Sequence, residues 1–496
     1  MFLGLDIGTS GVKAVLVDGD DEVVAQAGAP LTVSRPHPGW SEQDPEDWWT
    51  ATLAAVDRLK AEAPAALSAV TGIGLSGQMH GATLLDAADR PLRPAILWND
   101  GRSAAECAAF EAACPRSREI SGNVAMPGFT APKLLWVASH EPEVFRQVRT
   151  VLLPKDFVRL RLSGEKVSDM SDAAGTLWLD VAARDWSDAL LAATGLDRRH
   201  MPRLVEGSAP GGRLGGELAR RWGMARAPVI AGGGGDNAAS ACGVGAVAPG
   251  TGFVSLGTSG VLFVATDRFA PNTAGAVHAF CHALPDTWHQ MGVILSATAS
   301  LDWLAGLVAA APGDLVGALG ERPAGPSPVV FLPYLSGERT PHNDAAVRGM
   351  FAGLGHEHGR DDLVRAVLDG VAFALADCAA ALAAAGTRID RLTAVGGGSR
   401  SLHWLSIVAT VLGVPLDVPV DGEVGAAFGA ARLGRAAADG EDPRAVCRPP
   451  PIRVTVDPEP GLAPAYAEAL ARWRSLYPAA RGLSDNSRSD NQVAPR

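Results

Sequence analysis

Apolar and polar positions alternate through the first thirty residues, with a break at Gly19-Asp20-Asp21. A period of two interrupted by a turn predicts a β-meander from Met1 to about Ala27. The period then lengthens. Asp44-Pro45-Glu46-Asp47 is a strong helix start: Asp44 can cap, proline suits the first turn, and two acids complement the helix dipole. Trp48, Trp49, Leu53 and Val56 are expected on the face that follows. Next come short apolar runs that each empty into a polar loop. Val70 to Leu75 leads to Ser76-Gly77-Gln78-Met79-His80-Gly81, Ile96-Leu97 to Trp98-Asn99-Asp100, and Val229-Ile230-Ala231 to four glycines, Asp236 and Asn237. Beyond residue 250 strands alternate with Ala-rich helices over Asp361 to Ala385 and Ser401 to Leu412, and Leu392 to Val395 leads into Gly396-Gly397-Gly398-Ser399. Strands alternating with helices indicate α/β domains, which place ligands in loops at strand ends.

One phrase occurs twice. Leu5-Asp6-Ile7-Gly8-Thr9-Ser10-Gly11-Val12 reappears as Val254-Ser255-Leu256-Gly257-Thr258-Ser259-Gly260-Val261, near mid-chain. Each copy is an apolar run, a tight Gly-Thr-Ser-Gly turn and a second apolar run, so one β-hairpin is expected to open each half. Glycines strip bulk from such a turn, and its N–H groups and hydroxyls can cradle phosphate oxygens. The copies differ where Asp6 is replaced by Ser255. Two phosphate loops with a carboxylate on only one suit a cleft for a metal-bound nucleoside triphosphate; two ordinary hairpins are the competing reading.

A chain of 496 residues exceeds the usual single core, so two domains are expected, meeting near residues 244–252. The division expected is 1–246, 247–481 and a polar, Ser- and Asn-rich disordered tail over 482–496. A net charge of −11 argues against nucleic acid and acidic membrane surfaces as partners. Six scattered cysteines form neither metal-ligand pairs nor a disulfide framework, the first strand starts at the N-terminus, and no stretch of 18 apolar residues lacks charges or turn formers, so a cytoplasmic protein with reduced thiols and no membrane span is expected. A P-loop motif and the protein-kinase signatures are missing. His278, His282 and His289 have no zinc-site spacing.

The candidate chemistry sits in the loops. Asp6, at the end of a buried strand, is costly unless compensated, and Mg²⁺ carried by nucleotide phosphates would compensate it; a turn-capping acid is the alternative. Asp236 follows four glycines that let backbone and ligand approach closely. A sugar hydroxyl is a poor nucleophile at neutral pH, and this carboxylate can accept its proton during phosphoryl transfer; a helix cap beside a Gly-rich hinge competes. Gln78, Met79 and His80 set polar groups beside an apolar wall, as a polyol pocket needs. Gly396-Gly397-Gly398 can accept the flat face or ribose of a nucleotide, or be a plain strand-to-helix turn.

Together these motifs resemble the FGGY carbohydrate kinases of the actin-like ATPase superfold. The longer runs carrying the resemblance include Gly77-Gln78-Met79-His80-Gly81-Ala82-Thr83, Met126-Pro127-Gly128-Phe129-Thr130-Ala131-Pro132-Lys133, Ser168-Asp169-Met170-Ser171-Asp172-Ala173-Ala174-Gly175-Thr176 and Ser336-Gly337-Glu338-Arg339-Thr340-Pro341-His342. It spans residue 1 to roughly 480. The resemblance implies an α/β fold of two actin-like (ribonuclease H-like) ATPase domains flanking a central cleft, sugar mainly on the first and nucleotide mainly on the second. It implies ATP-dependent phosphorylation of D-xylulose on its 5-hydroxyl, with ATP and Mg²⁺ as cofactors; another ketose or polyol kinase, or a non-catalytic sugar sensor, is the rival. By position, Asp236 matches the catalytic base, Met79 and His80 the sugar-contacting pair, and Asp6 the carboxylate near Mg²⁺. Thr9, Ser10 and Lys13 fall in the first phosphate loop, Gly257, Thr258 and Ser259 in the second, and Gly397 and Gly398 beside the adenosine. Gln78, Trp98 and Asn237 join the sugar pocket. A homodimer is one assembly this leaves open.

Overall fold

The computed structural model describes residues 1–420 and 425–490, the last six of these by backbone alone. The first half is built on strands β1 (Phe2–Ile7), β2 (Gly11–Val17), β3 (Val23–Pro30), β4 (Gly72–Gly77), β5 (Pro210–Arg213), β6 (Val229–Ala231) and the two-residue β7 (Gly234–Gly235). They form one sheet in the order β5-β6-β4-β1-β2-β3, with β7 also pairing with β4. The second half is built on β8 (Thr251–Leu256), β9 (Gly260–Thr266), β10 (His278–Cys281), β11 (Trp288–Ile294), β12 (Arg391–Val395), β13 (Leu416–Pro419) and β14 (Ile452–Val456), in the order β10-β11-β9-β8-β12-β13-β14.

The duplication extends from the hairpins to whole sheets. From β3 to β5 the pairings run antiparallel, antiparallel, parallel, parallel, antiparallel. From β11 to β14 they run in the same sequence. The outermost strand is reached differently: β5 precedes β6 in the chain, whereas β14 follows β13.

Each face of the first sheet is covered for a reason visible in β1. Leu3, Leu5 and Ile7 are fully buried against α1 (Pro45–Glu62). That helix starts as expected, with the Asp44 carboxylate accepting from the Glu46 N–H at 3.0 Å. Its buried stripe is Trp48, Ala51, Thr52, Ala55, Val56 and Leu59, while Trp49 and Leu53 lie at its margin. The opposite face carries Gly4, Gly72 and Gly74. Over them lies a helix from the far end of the chain, Ala426–Asp439, which also packs on Asp236–Val244. A Cβ on Gly4 would run into the Ala427 carbonyl, and one on Gly74 into that of Ala430. Bare backbone is what lets the helix lie this close.

In the second half the 25-residue helix Arg360–Ala384 is long and apolar enough to cross a membrane, yet most of it is buried in the core beside Leu405, Val408 and Phe331. One expectation needs correction. Residues 482–490, read as the start of a disordered tail, continue the helix Tyr477–Asp490. Its first turns are anchored: Tyr477 stacks on His342 at 3.7 Å and donates to Asp344, and Ala480 and Ser484 are buried. Local polarity misled because the anchoring partners are more than a hundred residues away. The expected tail residues 491–496 lie outside the described residues.

Candidate active site

Strand register gathers the acids and the sugar loop. Along β1, β4 and β7, Asp6 is level with Ser76 and Gly234, and Ile7 with Gly77 and Gly235. One step beyond that last row, at the carboxyl ends of three parallel strands, lie Gly8, Gln78 and Asp236. This is where α/β sheets present ligand groups.

Asp236 opens the helix Asp236–Val244. Its Oδ1 accepts from the Asn237 N–H at 2.7 Å and from Asn237 Nδ2 at 2.9 Å, so Asn237 orients the acid. Burial, reinforced by the charge of Asp6, pushes its pKa up to about 7. Asp6 is itself raised by burial, against the pull of Lys13, its partner across the β1–β2 pair. Its Oδ1 is buried without a hydrogen-bond partner. Two neighbouring carboxylates with one ammonium nearby form a cation-hungry corner.

The first hairpin turn is tied to the sugar loop by a polar chain. Trp98 Nε1 donates to Thr9 Oγ1 at 3.0 Å, which donates to Gln78 Oε1 at 2.9 Å. Gln78 Nε2 and Trp48 Nε1 both donate to Gln43 Oε1, and Gln43 Nε2 returns to the Thr9 carbonyl at 2.8 Å. The Thr9 hydroxyl, expected to face a phosphate, is therefore turned inward because Gln78 offers it an acceptor. Gln78 is buried, whereas Trp98 stays 43% exposed. Ser10 and Lys13 behave differently. With Asp6, Gly8 and Gly11 they line an open cavity of about 560 Å³.

Met79 is buried against Gly235, and His80 follows at φ +70°, in the left-handed region. Its carbonyl takes the Lys133 Nζ at 2.9 Å and the Thr130 hydroxyl at 3.1 Å. Its Nδ1 lies 2.5 Å from the Gly175 carbonyl, and its ring meets Phe129 edge-on at 4.8 Å. Burial lowers its pKa to about 3, so the imidazole is neutral. The second half of the chain closes the wall: Phe280 lies 6.4 Å from His80, and His278, linked to Asn123, lies 5.6 Å from Phe129.

The sequence alone assigns no sugar-site role to Lys133, Phe129, His278 or Phe280, although Phe129 and Lys133 stand in one of the family-like runs. Lys133 also carries a local signal, as a lone lysine in the apolar stretch of the helix Thr130–His140. The three histidines stay apart in role: His282 reaches the Ala246 carbonyl and His289 stacks on Phe263.

The second hairpin is built for a different task. Thr258 and Ser259 are exposed at its turn. The Gly257 and Thr258 carbonyls accept from Thr298 and Ala297, which fixes the turn to the start of the helix Thr298–Leu307. Gly396 (φ +88°) and Gly398 press on Leu256, so the glycine turn abuts the end of β8. Gly397 and Gly398 line a cavity of about 680 Å³ with Leu301, Val316, Gly317 and Trp404. That volume suits a ligand of nucleoside size.

Two repeated α/β sheets, one bearing an acid pair beside a polyol-type loop and the other a nucleoside-sized cavity behind a glycine turn, define a sugar phosphotransferase of the actin-like class. Residues 1–243 match the N-terminal domain, and residues 252–438 the C-terminal domain, of the FGGY family of carbohydrate kinases. The chain belongs to that family. It is 53% identical over 479 residues to the xylulose kinase of Escherichia coli K12, covering 96% of this chain and 98% of that one. It is 36% identical to the xylulose kinase of Bacillus subtilis, with 87% of each covered. Among solved structures, a "xyloylose kinase" from Brucella ovis superposes with a TM-score of 0.95 at 59% identity, covering 97% of this chain and 99% of the other. The xylulose kinase of Rhodospirillum rubrum gives 0.89 at 31%, covering 98% and 99%.

Proposed function

We propose that this chain transfers the γ-phosphoryl group of ATP to the terminal 5-hydroxyl of D-xylulose, with Asp236 as general base. The observation that carries the reading is the strand register that puts Asp236, Asp6 and the Gln78–His80 loop at one sheet end. The names of its similar relatives supply the acceptor sugar.

In this reading His80 and the wall of Met79, Phe129 and Trp98 hold the sugar. Asp236 takes the proton of the acceptor hydroxyl as that oxygen bonds to the γ-phosphorus, and the bond to the bridging oxygen of ADP breaks. A pKa near 7 is well matched to this task at neutral pH. Ser10, Lys13, Thr258 and Ser259 face the phosphates from the two hairpins, and Gly397 and Gly398 flank the adenosine. The corner also fits Mg²⁺. Asp6 has an orphaned buried oxygen, and among the described residues no group of three His, Cys, Asp or Glu side chains is placed to hold a metal ion by itself, so phosphates and water would complete the shell. Such an ion supplies shielding of the phosphate charge.

Coupled ADP release measured across D-xylulose, other pentuloses and glycerol tests the reading. D-Xylulose is expected to give the highest kcat/KM. Preference for another acceptor would reassign the sugar, and sugar-independent turnover would overturn the kinase reading.

A further inference from the structure

The segment 168–176 carries one of the longest family-like runs and has no role in the chemistry described so far. It contacts both sides of the sugar site. The Ser171 hydroxyl accepts from the Gly235 N–H at 3.1 Å, immediately before Asp236, and donates to Asp169 Oδ2 at 2.5 Å. Four residues on, the Gly175 carbonyl meets His80 Nδ1 at 2.5 Å. The Thr176 carbonyl accepts from Ala131, in the helix whose Thr130 and Lys133 grip the His80 carbonyl.

The segment is anchored on a solvent-free charge cluster. Lys155 Nζ lies 2.5 Å from Asp156, 2.8 Å from Asp169 and 3.1 Å from Asp172, all with fully buried side chains. Beside them the buried Arg159 donates to the Gly232 carbonyl at 2.6 Å, at the start of the glycine run. Buried charge is expensive unless it is paired; here three carboxylates share one ammonium, while Asp156 Oδ2, Asp172 Oδ1 and Arg159 Nε keep no hydrogen-bond partner, so the cluster tolerates few arrangements of its neighbours. Those neighbours include both ends of the loop leading to Asp236.

We propose that residues 168–176 act as a positioning yoke that holds Asp236 and His80 in one frame. It fixes the His80 tautomer, so that Nε2 is a bare acceptor for a sugar hydroxyl. A carbonyl can only accept, so the proton between Gly175 and His80 resides on Nδ1, and a neutral ring then leaves Nε2 with its lone pair. Ser171 sets the reach of the base and Gly175 sets the recognition of the sugar. The roles assigned to Asp236 and His80 rest on the reading above.

Two variants separate these functions in the full-length protein. Ser171→Ala removes one buried oxygen and frees the Gly235 N–H. It is expected to lower kcat about tenfold or more, as misplacement of a positioned group does, with KM for ATP unchanged and less than one sugar phosphate formed per ADP, because water intercepts the phosphoryl group. Gly175→Ala is compatible with the backbone, but its methyl would lie 2.7 Å from both the His80 ring and Met79 Cε. It is expected to raise the sugar KM with a smaller effect on kcat. Wild-type kcat and product stoichiometry in Ser171→Ala, or a parallel loss of kcat and ATP affinity in both variants, would overturn the yoke. Nitrogen-15 resonances of His80 at pH 7 give a second measure: a protonated Nε2 would refute the tautomer. If the wild-type protein itself fails to phosphorylate D-xylulose, it is the proposed function that fails.

Discussion

Replacing Asp236 by asparagine is expected to slow turnover by orders of magnitude and to stabilise the fold, and the second effect depends on pH. The side chain keeps its shape and an oxygen to accept from Asn237, so only charge and basicity are lost. Removal of one positioned base costs about 10²–10⁴-fold in kcat. ATP binding, which uses the two hairpins and the glycine turn, is expected to persist. The stability effect follows from the rise of the Asp236 pKa from 3.8 to about 7, caused by burial and then by the Asp6 charge.

The sign is fixed by linkage. An acid raised on folding contributes nothing unfavourable below its unfolded pKa. Between 3.8 and 7 the unfolded chain ionises it while the folded chain keeps the proton, and the penalty grows, reaching its full size above 7. About three pKa units correspond to an upper bound of roughly 4 kcal/mol. Asp236 is only partly buried as a residue, so solvent near it screens this, and a fully expressed penalty of about 1–2 kcal/mol is the working figure. The asparagine variant escapes the penalty altogether. Its melting temperature should exceed that of the wild type by about 1–2 °C at pH 8, with the gain shrinking toward pH 5. Thermal scans at matched rates, without nucleotide or Mg²⁺, read the difference; ligands would stabilise the two proteins unequally. A gain that is flat with pH, or largest in acid, would show that Asp236 is not held desolvated beside Asp6.

Two further substitutions probe the scaffold. Gly74→Ala would drive a methyl into the Ala430 carbonyl, and the helix Ala426–Asp439 would have to lift from the sheet. Overpacking of this kind costs typically about 1–3 kcal/mol or more, so urea unfolding should show a lower midpoint, and an unchanged midpoint would refute the close approach. Lys155→Met leaves Asp156, Asp169 and Asp172 without their shared cation. Breaking a buried ion pair costs about 3–5 kcal/mol, and a loss below about 1 kcal/mol in the same assay would mean that the cluster is not closed to water.

What could be read along the chain and what could not divide on sequence separation. The twin hairpins, the Asp44 cap and the strand-end loops are local: each needs only a few neighbouring residues to be recognisable, and each is where it was expected. The conjunction of these loops is not local. Gly77 and Gly235 share a row because two parallel strands far apart in the chain pair in one register, and no local period encodes that register. Gly4 and Gly74 look like weak points in buried strands until the helix Ala426–Asp439 lies across them. The same reason explains the orientation of the Thr9 hydroxyl: its turn is recognisable locally, but its acceptor, Gln78, lies at the end of another strand. Resemblance to a family bridged part of this gap by naming Asp236, Met79 and His80 together, although not the groups behind them. Lys133 and Ser171 touch no substrate in the mechanism, yet they fix the backbone on which the recognised residues stand. Charged or hydroxyl side chains that are wholly buried within conspicuous motifs are therefore the place to look for groups that aim a site rather than form it.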